Sequence, residues 1–149
     1  AGPFYLVWLN PKKSKISTEE WPFQLAGFEQ KPSIEIQFPY ATPGRTISEK
    51  NPIHKGYKLF MQNCFACHTM NGEGQSQLGP DLNIPHNPTE YLKPTFFTKL
   101  VRNPQSLRAW PGSKMSGFTK EQLSDQDVMS IFKYLEHMSK RKIKSASAN

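Results

Sequence analysis

The sequence predicts a mostly α-helical domain, residues 51–149, preceded by an extended and partly β arm, residues 1–50. Apolar residues recur at helical spacing only after residue 51, where Asn-Pro pairs that can start helices occur at 51–52 and 87–88. The arm instead contains short aromatic or alternating stretches. Hydrophobic residues are 36% of the chain and 13 residues are proline, so turns and extended segments should be frequent unless something besides protein fills the core.

The arm has three apolar stretches, PFYLVWL, WPFQLAGF and SIEIQF, separated by segments that are typical of loops. In the third stretch Ile34, Ile36 and Phe38 alternate, which predicts one face of a β-strand. We expect the arm to lie against the main body, although an irregular segment would explain the same residues nearly as well.

The first predicted helix begins after Asn51, a favourable capping residue, and runs into Cys64. Its apolar face consists of Ile53, Gly56, Tyr57 and Phe60. A short turn of helix is predicted after Asn87. A further helix carries Phe96, Phe97, Leu100 and Val101 on one side and should end near Asn103, because Pro104 disfavours helix in the residue before it.

The last predicted helix begins at Ser124, which forms a capping-box pattern with Asp127. Its apolar stripe consists of Val128, Ile131, Phe132, Leu135 and Met138. The basic tail that follows suits a helix C-terminus, where positive charge is favourable.

The chain is basic, with 19 Lys and Arg against 12 Asp and Glu. The excess lies after the arm, because residues 1–50 carry six basic and five acidic side chains whereas residues 51–149 carry 13 and seven. A basic surface favours acidic partners. Nucleic acid is disfavoured as a partner, since the basic stretch SKRKIK lacks interleaved aromatic residues and any known motif.

No apolar run approaches the roughly 20 residues that span a bilayer, so the sequence predicts no membrane span. It also has no basic-then-apolar leader, and we expect any export signal to have been removed.

The two cysteines, Cys64 and Cys67, are followed directly by His68. A dithiol redox centre would be expected after a strand, whereas a helix leads into this pair. A zinc site needs four ligands, and the sequence lacks a second pair of soft ligands at metal spacing. Covalent haem attachment is the favoured interpretation, because C-x-x-C-H is its signature and one helical turn can present both thiols to the vinyl groups of one porphyrin. The imidazole of His68 would then bind the iron.

Residues 52–139 resemble the monohaem class I cytochromes c. The resemblance rests on segments that occur in the family's order: GYKLFMQNCFACH, GPDL, LVRNPQS, MSGF and LSDQDVMSIFKYL. It implies the class I cytochrome c fold, in which three main helices surround one covalently bound haem c. It also implies that the first and last helices cross near Gly56, Phe60 and Tyr134, and that the protein is an electron carrier and not an enzyme.

The second axial ligand of the iron has several candidates: Met61, Met70, Met115, Met129, Met138, His54, His86 and His137. Met115 is favoured because a loop between two helices can cover the far face of the haem, and because the family's ligand motif is a Met followed by a short turn and Phe. The family usually has Pro after this Met, whereas this chain has Ser116, which should slightly reduce the rigidity of the loop. His86 is the second choice.

The resemblance also implies a shell of residues around the haem. The carbonyl of Pro80 should accept a hydrogen bond from His68 and fix its tautomer. Trp110 and Arg102 are candidates to bind the haem propionates, although core packing of Trp110 and a solvated Arg102 would also fit the sequence.

Electron transfer is the predicted function, because a His/Met-ligated iron leaves no open position for a substrate. Lysines such as Lys55, Lys58 and Lys114 could steer an acidic redox partner to the exposed haem edge. The alternative is a haem enzyme or gas sensor with a labile sixth ligand. Since cytochrome c maturation takes place outside the bacterial cytoplasm, the resemblance implies a periplasmic protein.

The arm segments GPFYLVWLNP and EEWPFQL are similar to the closing segment of sulfite-oxidase-type molybdenum oxidoreductases or of their cytochrome subunits. This short similarity implies an arm that docks the haem domain to such an enzyme, or a domain once fused to one. An arm that only covers the haem domain, or that pairs two copies in a homodimer, explains the same residues.

Overall fold

The computed structural model describes residues 4–14, 16, 21, 25–76, 78–109 and 111–143. Within these residues the α-helices are α1 (Pro11–Ser14), α2 (Ile34–Gln37), α3 (Pro52–Asn63), α4 (Pro88–Tyr91), α5 (Pro94–Arg102) and α6 (Asp125–Ser139). Short 3-10 turns span Pro39–Ala41 and Pro104–Ser106. The predicted helical domain is confirmed, and none of the described helices has the length and apolar character needed to cross a bilayer.

Capping interactions define where the longer helices begin. The side chain of Asn51 accepts a hydrogen bond from the Ile53 N–H at 2.9 Å at the start of α3. Ser124 and Asp127 form a reciprocal capping box at the start of α6. Each cap satisfies backbone N–H groups that the helix itself leaves unpaired.

The core is built where α3 crosses α6. A Cβ added to Gly56 would lie 1.9 Å from the carbonyl oxygen of Ser130, so the two backbones touch at this glycine. Beside this contact the rings of Phe60 and Tyr134, both fully buried, lie 5.2 Å apart between centroids. The predicted crossing of the first and last helices at these residues is therefore confirmed.

The predicted β-strand in the arm is wrong. Residues Ile34–Gln37 form the single helical turn α2, and the described part of the arm contains no strand. Alternating apolar residues form a strand only when another strand pairs with them. No such partner is described here, and Ile36 stays largely exposed.

Residues 38–44, which we call the strap, pack closely against the helical domain. Ala41 in its centre is fully buried, and its carbonyl accepts a hydrogen bond of 2.5 Å from the Tyr134 hydroxyl on α6. The Ala41 N–H donates to a Glu73 carboxylate oxygen at 2.8 Å. His137 Nε2 lies 2.7 Å from the carbonyl oxygen of Pro43. The strap is thus structurally continuous with the domain that follows it.

Candidate functional site

The C-terminal end of α3 presents the two thiols and the imidazole on one turn. The helix continues into Cys64, whose N–H donates to the Phe60 carbonyl at 2.8 Å. The N–H groups of Cys67 and His68 both donate to the Cys64 carbonyl, at 3.0 and 2.9 Å. This turn, residues 64–68, is called the attachment turn below. Its hydrogen bonds fix the spacing of the three residues along the turn.

His68 is held in one orientation by the loop that follows the attachment turn. Its Nδ1 lies 2.8 Å from the carbonyl oxygen of Pro80. Because a carbonyl can only accept, Nδ1 carries the proton and Nε2 keeps the lone pair that can bind a metal. A Cβ on Gly79 would lie 2.5 Å from the ring, so only glycine leaves room for the imidazole here.

Burial is the largest influence on the pKa of His68 and lowers it below the ordinary value, while the hydrogen bond to Pro80 and the charge of Asp81 oppose this effect. The lowered pKa favours the neutral imidazole, which is the form that binds a metal ion.

The loop at residues 79–84 is joined to the attachment turn by backbone hydrogen bonds. The Gly79 N–H donates to the Cys67 carbonyl at 2.8 Å, and the Leu82 N–H donates to the Thr69 carbonyl at 2.9 Å. The position of the Pro80 carbonyl therefore depends on a paired segment and not on one contact.

Met115 lies in the loop between the second 3-10 turn and α6, with its side chain 37% exposed. The loop is attached to the end of α5 just after this residue. The Phe118 N–H donates to the Val101 carbonyl at 3.0 Å. A Cβ on Gly117 would lie 2.1 Å from the carbonyl oxygen of Arg102, so the backbone runs close against α5 there.

The other candidate methionines pack into the protein. Met70 and Met138 are fully buried in the core, and Met61 and Met129 are partly buried against it. Met115 is therefore the most accessible of the five methionines.

The candidate histidines differ in their surroundings. His137 contacts the strap, His54 lies beside Tyr57 on α3, and the largely exposed His86 lies 3.8 Å from Glu90. The structure thus leaves His86 accessible, and the choice of Met115 over it stays a prediction.

Arg102, a predicted propionate ligand, makes contacts within the protein. Its Nη1 donates to the carbonyls of Phe118 and Thr119, each at 3.0 Å, and its Nη2 lies 2.7 Å from Asp125. Its Nε is buried and has no hydrogen-bond partner among the described residues. The propionate role stays a prediction, and Trp110 lies outside the described residues.

These side chains fit a covalently attached haem. The donor set comprises two thiols on one turn and a neutral imidazole whose Nδ1 is already engaged. Gly79 leaves the space that this imidazole requires. The sequence motif identified the thiols and the imidazole, whereas the role of Gly79 was missed, because its contact lacks a periodic signal.

Comparison with known proteins gives one match. A family model described as Cytochrome c matches residues 53–139, which is more than half of the chain. No curated protein and no solved structure matches the chain.

Proposed function

Because the chain belongs to the cytochrome c family, whose members carry covalent haem c and generally transfer electrons, we propose that it is a periplasmic one-electron carrier. In this proposal the thiols of Cys64 and Cys67 attach one haem, and His68 and Met115 bind its iron. The periplasm is proposed because haem attachment to this motif takes place outside the bacterial cytoplasm.

The 2.8 Å contact between His68 Nδ1 and the Pro80 carbonyl is the observation that supports the proposal most directly. The acceptor holds the proton on Nδ1, keeps the Nε2 lone pair available and makes the imidazole a stronger electron donor. When bound, the haem iron supplies the one-electron chemistry. Since the ring is already oriented, little rearrangement of the protein should accompany a change of redox state.

Met115 is proposed as the second ligand because its accessible side chain lies on a loop that α5 anchors. A thioether ligand favours the ferrous state and leaves no open position for a substrate. The haem enzyme or gas sensor would require this ligand to be absent or easily displaced.

Replacing Met115 tests the ligation. We expect Met115→Ala to lose the near-infrared band of methionine bound to ferric iron and to gain carbon monoxide binding in the ferrous state. Met129→Leu, at a methionine that packs against the core, is the matched control and should keep the native spectrum. Tight carbon monoxide binding by the native ferrous protein would instead support the enzyme or sensor.

The proposed electron-transfer partner is an acidic redox protein, because the chain carries a net charge of +7. Of the predicted steering lysines, Lys58 and Lys114 are exposed, whereas Lys55 lies 2.6 Å from Asp127 and is partly neutralised. An anionic oxidant, hexacyanoferrate(III), provides a test that does not require the partner. Its reaction should slow as salt is added, and also in Lys58→Gln and Lys114→Gln.

Lys31, which lies 2.7 Å from Glu29 in the arm, provides the control for these variants. Lys31→Gln should react at the native rate. A native rate that is indifferent to ionic strength would remove the steering proposal.

The arm is proposed to dock the haem domain to its redox partner. One candidate for this partner is a molybdenum oxidoreductase. Large apolar side chains of the arm are exposed to solvent, including Phe4, Val7, Leu9 and Phe28. Where such side chains form one contiguous patch, they mark a site of protein interaction. A groove of about 530 Å³ also lies between α2 and the attachment turn, and Phe38, Phe65 and Ala66 line it.

A truncation can test the docking role if it spares the strap, because the strap contributes Ala41 to the core. Deleting residues 1–31 should preserve the haem spectrum and abolish copurification with a redox enzyme from the native source. Sedimentation of the full-length and truncated proteins tests the alternative, in which the arm pairs two copies of the chain. In that case the full-length protein would be a dimer and the truncated protein a monomer. Continued copurification with the partner and an unchanged oligomeric state after truncation would refute both roles of the arm.

A further inference from the structure

Three buried asparagines, which we call the asparagine ladder, bind the end of α6. Asn71, Asn83 and Asn87 are each at most 1% exposed. Their side-chain amides donate to the carbonyls of Arg141 at 3.2 Å, Met138 at 2.9 Å and Leu135 at 2.9 Å, respectively. The accepting residues are three apart, so the ladder follows one side of the last turn of α6 and of the residues that directly follow it.

The asparagines are also bonded to one another. Asn83 Nδ2 donates to Asn71 Oδ1 at 2.7 Å, and Asn87 Nδ2 donates to Asn83 Oδ1 at 2.8 Å. Asn83 is the central member, because its amide contacts both neighbours as well as α6. Its removal would leave several buried polar groups without a partner, which costs more than the bonds themselves contribute.

The central asparagine is coupled to the loop that orients the iron ligand. The Asn83 N–H donates to Asp81 Oδ1 at 2.7 Å, and the Ile84 N–H donates to the same oxygen at 2.8 Å. The other oxygen of Asp81 accepts the Gly72 N–H at 2.7 Å. Asp81 directly follows Pro80, the residue whose carbonyl contacts His68.

We propose that Asn83 is a positioning residue for the iron ligand: by tying the 79–84 loop to α6, it holds the Pro80 carbonyl against His68 Nδ1. This inference rests on the proposed ligation of iron by His68. A firmly held acceptor increases electron donation from the imidazole, which stabilises ferric iron. Loosening the loop should therefore weaken the Pro80 hydrogen bond and raise the reduction potential of the haem.

If the role of Asn83 were merely structural, replacing it would lower the stability of the protein without changing the environment of the iron ligand. The two roles differ in two measurable quantities: the reduction potential, and the rate at which the His68 Nδ1 proton exchanges with solvent. Both quantities respond to the Pro80 hydrogen bond, whereas the unfolding midpoint depends on the packing of the whole domain.

The experiment compares Asn83→Ala with Ser124→Ala in the haem-containing full-length protein. Ser124→Ala removes the N-terminal cap at the opposite end of α6 and so lowers stability without touching the ladder. For Asn83→Ala we expect a higher reduction potential. We also expect the Nδ1 proton to exchange about fivefold faster, the factor for the loss of one net hydrogen bond. Ser124→Ala should change neither quantity.

If Asn83→Ala does not fold, the same two measurements are made on Asn83→Ser, which also lacks the amide but keeps a hydroxyl group that can form a hydrogen bond. A native potential and native proton exchange in a variant with a lowered unfolding midpoint would overturn the proposal. An equal shift of both quantities in the Ser124 control would overturn it as well. Failure of the underlying haem ligation would be visible separately, because the native protein would then lack the spectrum of a haem whose iron has an imidazole ligand.

Discussion

Replacing Gly56 with alanine tests the contact on which the core depends. The added Cβ would lie 1.9 Å from the Ser130 carbonyl oxygen and 2.6 Å from its carbonyl carbon. An ordinary van der Waals contact requires at least 3.4 Å, so the atoms would have to separate by about 1.5 Å. Both obstructing atoms belong to the backbone of α6, and a change of side-chain rotamer cannot relieve the clash.

The expected cost follows from two opposing effects. Alanine stabilises a helix interior by about 1 kcal/mol relative to glycine. Overpacking of a core typically costs about 1–3 kcal/mol, and more when backbones must move. Because separating α3 from α6 also loosens the fully buried Phe60 and Tyr134, we expect a net loss of about 3 kcal/mol. For a chain of this size the unfolding midpoint should fall by roughly 10 °C.

Thermal and urea unfolding of the haem-containing protein, followed by circular dichroism, measure this loss. Gly27→Ala is the matched control, because a Cβ there meets nothing within 4 Å and the midpoint should stay unchanged. A Gly56→Ala protein as stable as the native one would refute the close backbone contact between α3 and α6.

Three further variants test individual contacts. Tyr134→Phe removes the donor to the buried Ala41 carbonyl and should cost about 1–2 kcal/mol in urea unfolding, whereas Tyr91→Phe, at an exposed side chain, should cost nothing measurable. Burial raises the pKa of Glu73 above its ordinary value of 4.5, so ionisation of this carboxyl group destabilises the folded protein as the pH rises above 4.5. Glu73→Gln should therefore become more stable relative to the native protein over this pH range. A difference in unfolding free energy between the two proteins that does not change with pH would contradict this. Asn51→Ala removes the N-terminal cap of α3 and should lower the free energy of unfolding by about 1 kcal/mol, whereas an unchanged midpoint would show that water replaces the cap.

Most helix boundaries could be predicted because they depend on neighbouring residues. The caps at Asn51, Asn87 and Ser124 and the stop before Pro104 are local signals, and the structure places helix ends at each of them. The strand predicted over Ile34–Phe38 failed for the converse reason. A strand needs a partner elsewhere in the chain, and alternation alone cannot supply one.

The arm was expected to lie against the main body, but the individual contacts of the strap and the asparagine ladder could not be predicted from sequence. The bond between Tyr134 and Ala41 joins residues 93 positions apart, and the bond between Asn83 and Met138 joins residues 55 apart. Asparagine is typical of loops and caps, so nothing in a loop sequence distinguishes a buried asparagine from a solvated one.

The sequence by itself predicted the attachment chemistry and placed its three residues together. Cys64, Cys67 and His68 are so closely spaced that one helical turn places them together whatever the rest of the chain does. The resemblance named the Pro80 carbonyl in advance, and the structure places that carbonyl 2.8 Å from His68 Nδ1. Only the tertiary structure decided where the arm becomes part of the domain and which carbonyls the buried asparagines bind. These outcomes depend on contacts between distant segments, whose free energy exists only once α3, α6 and the strap have packed together.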